Sequence, residues 1–136
     1  MRVKRALILA GTVLMLGQSA AIAGDVTIVE VKATSSSVGG FDFEVSLLHD
    51  DTGWTHYADR WEVVSVDGKQ YFGERVLFHP HVNEQPFTRS LRSVVIPEGV
   101  KEVMVRAHDK EHGWAKETAT VALSLIHISE PTRQKP

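Results

Sequence analysis

Apolar and polar residues alternate with a period of two through much of the chain between residues 25 and 122. Phe41, Phe43, Val45 and Leu47 are separated by Asp42, Glu44 and Ser46, the pattern of a strand with one face in a core and one in water. Val103, Val105 and Ala107 alternate in the same way with Met104, Arg106 and His108. Shorter β-branched or aromatic runs add Asp25 to Ala33, Trp61 to Val66, Lys69 to Phe78, Phe87 to Ile96 and Lys116 to Ala122. Turn signals separate them. Thr34 to Gly40 is small and polar, Asp67-Gly68 predicts a type I′ hairpin turn, and Pro97-Glu98-Gly99 ends the fifth run. Gly73 inside the fourth run predicts a bulge. No segment carries the helical period, so the pattern predicts an all-β fold, a seven-stranded antiparallel β-sandwich.

Strand count and spacing resemble the immunoglobulin and fibronectin type III sandwiches, and Trp61 at the head of the third strand is similar to the core tryptophan of immunoglobulin domains. The stretches His49–Trp61 and His79–Phe87 also resemble segments of small exported bacterial proteins that have no assigned function.

The two ends read differently from the middle. Arg2, Lys4 and Arg5 precede an apolar run from Ala6 to Gly17, and Ala21-Ile22-Ala23 has the small-x-small form accepted by signal peptidase. Residues 1–23 are therefore expected to be a signal peptide, and the protein periplasmic or secreted, without membrane attachment after cleavage. The apolar run is short for a bilayer span. No cysteine follows it, so lipid attachment through a cysteine is not expected. At the other end, Leu123 to Arg133 resembles an in-frame translation of a transposase adapter used in preparing DNA sequencing libraries. Residues 123–136, with His127, are expected to be a non-native tail and are set aside, which leaves one domain at 24–122.

That domain has ten Lys and Arg against sixteen Asp and Glu, a balance of −6. An acidic domain without a basic cluster is not expected to bind nucleic acid or an anionic membrane surface. The absence of cysteine excludes disulfides, thiolate metal sites, iron–sulfur clusters and cysteine nucleophiles.

Alternating strand direction puts three loops, 49–60, 79–86 and 108–114, at one end of the sandwich. His49, His56, His79, His81, His108 and His112 all fall there, with Trp54, Tyr57, Trp114 and the acids Asp50, Asp51, Asp59, Glu84, Asp109 and Glu111. His79-Pro80-His81 sets two imidazoles on one side of an extended segment stiffened by proline. Imidazole with carboxylate suits copper or zinc, so the expected metal ligands are drawn from His79, His81, His56, His108, His112 and His49. The alternative is a recognition module in which Trp54, Tyr57 and Trp114, with Asp51, Asp59 and Glu84, hold a sugar, peptide or protein partner. No Gly-x-Ser-x-Gly, phosphate loop or His-Glu-x-x-His is present, so no catalytic residue is assigned.

Overall fold

The computed structural model describes residues 13–16 and 25–125. Its elements in chain order are β1 (Val13–Leu16), β2 (Thr27–Ser35), β3 (Phe41–Leu48), β4 (Ala58–Val64), β5 (Tyr71–Val76), β6 (Phe87–Val94), β7 (Glu102–Asp109), β8 (Gly113–Trp114) and β9 (Ala119–Ala122), followed by a 3-10 turn at Leu123–Leu125. They form two antiparallel sheets among the described residues. One has the order β1-β2-β3-β6; the other runs β5-β4-β7, with β8 and β9 both on the far side of β7. No helix among the described residues is long and apolar enough to cross a membrane.

The inward phase of each strand builds the core. Phe43, Val45 and Leu47 from β3 meet Trp61 and Val63 from β4 and Val103, Val105 and Ala107 from β7, all fully buried. Trp61 sits on the central strand β4, opposite Arg75 on one side and Ala107 on the other. At roughly 25 cal/mol per Å² of apolar surface, rows of this kind supply the main favourable term in folding.

Three details differ from the sequence expectation. The turn after β4 is not type I′: of Asp67 and Gly68, only Gly68 takes positive φ, at 77°. Gly68 N–H closes the turn on Ser65 O at 2.8 Å, while Asp67 Oδ1 accepts from Ser65 Oγ and Lys69 N–H. The side chain of Asp67 thus accepts from the turn's own groups, and only the glycine takes the left-handed region. The last strand is split, because Gly113–Trp114 pairs with the end of β7 and Ala119–Ala122 with its start. Val13–Leu16, inside the expected leader, pairs along β2 from Ala33 to Glu30. The remainder of the expected leader up to residue 24 lies outside the described residues.

The bulge falls beside Gly73: Val63 pairs with Gly73 and Val64 with Tyr71, leaving Phe72 unpaired in the ladder. A Cβ at Gly73 would stand 3.2 Å from Leu91 Cδ2, so the glycine lets β5 approach β6 across the sheet boundary. At the other boundary, Leu123 is buried and its N–H reaches Lys101 O at 2.8 Å, so packing runs one residue past 122. Residues 126–136, with His127, lie outside the described residues.

Candidate metal centre

Strand phase brings the buried polar groups together. The inward row of β3, Phe43, Val45 and Leu47, is continued by His49, and the inward row of β7, Val103, Val105 and Ala107, is continued by Asp109. Period-two alternation therefore carries an imidazole and a carboxylate into the end of the core. His49 Nε2 lies 3.6 Å from Asp109 Oδ2, and both side chains are fully shielded from solvent.

His56 comes from the loop between β3 and β4. Its N–H bonds Gly53 O at 3.2 Å and its carbonyl accepts from Thr52 N–H at 3.0 Å, a tight turn that aims the ring inward. His56 Nε2 lies 3.7 Å from the other oxygen, Asp109 Oδ1, and its ring stands edge-on to His49 at 4.7 Å. One donor atom from each of His49, His56 and Asp109 falls in a group whose members are all within 4.8 Å of one another.

Each imidazole is steered through its Nδ1. Asp51 Oδ1 accepts from His49 Nδ1 at 2.5 Å, which places the ring proton there and turns Nε2 toward Asp109. Asp51 is itself held by Ala58 N–H at 3.1 Å and, through Oδ2, by His81 N–H at 2.7 Å. Glu111 Oε1 stands 3.5 Å from His56 Nδ1. Asp109 Oδ1 accepts the N–H groups of Glu111 and His112, at 2.8 and 2.6 Å, and faces His112 Nδ1 at 3.3 Å. Asp109 Oδ2 and His56 Nε2 are buried with no hydrogen-bond partner among the described residues. A carboxylate oxygen removed from water without a donor is costly unless a cation stands against it.

The remaining sequence candidates go elsewhere. The rings of His79 and His81 do lie close, 4.6 Å between centroids. His81, however, is stacked on Phe87 at 4.0 Å, and its Nε2 takes Arg89 Nη2 at 3.0 Å. Burial, with Arg89 and then His79 beside it, lowers the His81 pKa below the usual imidazole value. Glu84 is held by Arg89 at 3.2 Å, and that hydrogen bond lowers its pKa. His108 points to the outer face of its sheet, bonded to Asp59 at 2.6 Å and edge-on to Trp114. The Arg60 and Arg106 guanidiniums both lie over the Trp114 ring, at 4.9 and 4.3 Å from its centre. Tyr57 is buried at 7 % exposure under Trp54, which is 66 % exposed. His112 is half-exposed beside His56 and belongs to a second group with Asp25 and Asp109.

The structure thus brings together His49, His56, His112 and Asp51 of the residues picked from sequence, and does not bring His79, His81 or His108 to that centre. Asp109 is placed at this end by the sequence but not among the expected ligands, and Asp25 is not picked at all. Parity could have found Asp109, an acid standing where the alternation calls for an apolar residue. Nothing in the sequence near Asp25 places it here.

No family model matches the chain, and no solved structure matches it. It is 38 % identical over 97 residues to a protein of Halomicrobium mukohataei named "Putative lipoprotein", covering 71 % of this chain and 47 % of that protein. The chain spans about half the length of the curated relative it matches.

Proposed function

We propose that this chain is an extracytoplasmic β-sandwich protein that binds one divalent transition metal, zinc or copper, at His49, His56 and Asp109. The observation that carries the reading is the pair of unpartnered buried atoms, Asp109 Oδ2 and His56 Nε2, in one group of donors with His49. Two imidazoles and a carboxylate suit Zn²⁺ and Cu²⁺ better than Ca²⁺ or Mg²⁺, which prefer all-oxygen shells. Asp51 and Glu111 at the two Nδ1 atoms match the outer carboxylates that orient metal-bound histidines. Export is supported by the leader-like residues 1–23 and by the name of the haloarchaeal relative. The immunoglobulin or fibronectin type III assignment is supported by the way successive strands cross between two antiparallel sheets.

Calorimetric titration of the chain with Zn²⁺ and Cu²⁺ tests the metal reading. One ion per chain is expected, with binding that fades on acidification as protons compete for the imidazoles. Undetectable heat at micromolar metal, with the protein folded, would remove the proposal.

Recognition of a partner remains the second reading, favoured by one observation. Trp54, Phe78 and Val82 are exposed at the same end of the sandwich. Trp54 is its anchor, since Tyr57 is buried and Trp114 is engaged by two arginines.

A further inference from the structure

The two donor groups at this end share one residue. His49, His56 and Asp109 form the inner group, and Asp25, His112 and Asp109 the outer. They differ in access. The side chains of His49 and Asp109 have no solvent exposure, whereas His112 is 37 % exposed and Asp25 is half-buried at the head of β2. A hydrated ion reaching the inner group must lose its water to ligands that solvent hardly touches. The outer group offers an imidazole and a carboxylate to a partly hydrated ion, and the shared Asp109 joins it to the inner group. Asp109 Oδ1 already accepts two backbone N–H groups, so it is poorly placed to bind a second ion firmly while Oδ2 holds the first. The shared carboxylate therefore suits hand-over of one ion better than simultaneous possession of two.

We propose that Asp25 and His112 form a loading station, sharing Asp109, through which a divalent metal ion enters and leaves the buried centre. This rests on the metal-binding reading above. The station exchanges water ligands for protein ligands in steps, so the ion never crosses from bulk water to the interior in one move. Its acidic character also raises the local concentration of cations at the mouth of the site. A transit station speeds loading and release alike and leaves the final affinity nearly unchanged, because it is part of neither end state.

The test uses the full chain, zinc and a doubly substituted variant, Asp25→Asn with His112→Ala. The backbone N–H of His112 that holds Asp109 survives the substitution. Calorimetry gives stoichiometry and affinity, and rapid mixing of the zinc-loaded chain with excess fluorescent chelator gives the release rate. Expected are one ion per chain, an affinity within about threefold of wild type and release slowed roughly tenfold, the smaller end of what local electrostatic funnels achieve. Thermal melting of both metal-free proteins checks that the fold is unchanged.

Release as fast as wild type by a variant that still binds one ion would overturn the station and leave the centre standing. An affinity loss as large as that of His56→Ala would also overturn it, because Asp25 and His112 would then be ligands of the final site. Two zinc ions per wild-type chain would replace it with a second centre. A wild-type chain that binds no zinc overturns the metal reading, and the station with it.

Discussion

His108 and Asp109 are neighbours in sequence and lie on opposite faces of β7. On the outer face, His108 bonds Asp59 at 2.6 Å, Arg106 bonds Glu62 at 2.9 Å, and two guanidiniums lie over the Trp114 ring. Charges there are balanced and partly hydrated. On the inner face, Asp109 meets His49 and His56, and Asp109 Oδ2 and His56 Nε2 have no hydrogen bond among the described residues. Both faces carry imidazole beside carboxylate, and the outer one adds arginines. What differs is burial: the side chains of Asp109 and His49 have no exposure while those of the outer pairs keep some, and unpartnered buried atoms occur on both faces among the described residues, Arg60 Nε outside and Asp109 Oδ2 with His56 Nε2 inside. The phase of β7 separates His108 from Asp109, which a count of histidines and acids at this end does not.

The largest contrast is expected from removing the acid on each face. Asp109→Ala deletes the carboxylate of the inner group and the acceptor that holds the turn after β7. We expect zinc binding to vanish from calorimetry, with a stability loss of about 1–3 kcal/mol for two partly buried N–H groups that lose a charged acceptor. Asp59→Ala on the outer face should cost under about 1 kcal/mol, as partly exposed ion pairs do, and leave zinc affinity alone. Equal effects on affinity would end the distinction between the faces.

Next come the histidines. His56→Ala should weaken zinc binding by at least about tenfold, in line with losses seen when metal coordination is disturbed. His79→Ala and His108→Ala should each leave affinity within about twofold, being outside the donor group. A large loss with His79→Ala would restore the His79-Pro80-His81 pair as the centre. Asp51→Asn, which keeps an acceptor for His49 but weakens the bond that orients it, should lower affinity by roughly tenfold.

The smallest effect concerns pH. Burial, Arg89 and His79 lower the His81 pKa, while Asp51 and Glu84 oppose them. The unfolded imidazole takes up its proton near 6.5 and the folded one only further into acid. In that window the unfolded chain binds more protons, so stability from a neutral His81 is complete above about 6.5 and is lost as pH falls through the folded value. Metal-free thermal melts across mildly acid pH should show this slope, and His81→Phe should flatten it. An unchanged slope in the variant would assign the acid sensitivity to other groups.

Much of this was legible in the sequence. Alternation in 41–47 and 103–107 fixed two core strands and their inward rows, and alternating direction put every histidine of residues 24–122 at one end. The sequence could not say which of them turn inward from loops, because loop rings such as His56 are aimed by a local turn, not by a period. His79-Pro80-His81 looked like a ready pair, and its rings are close. Yet Phe87 and Arg89, on the next strand, claim His81. That competition depends on tertiary packing, which one-dimensional spacing does not encode. The split of the last strand was hidden for the same reason, since β7 recruits Gly113–Trp114 by proximity after a tight turn.

The register between β4 and β7, with Ala58 opposite Asp109, has a consequence for time. The inner donors are residues 49, 56 and 109, so they meet only after a pairing between distant parts of the chain has closed. Contacts of such long sequence separation make folding slow and come together late. An ion held by those donors has little to grip in the transition state for folding. Zinc should then leave the refolding rate nearly untouched and lengthen the lifetime of the native state, because an interaction absent from the transition state acts on the unfolding rate.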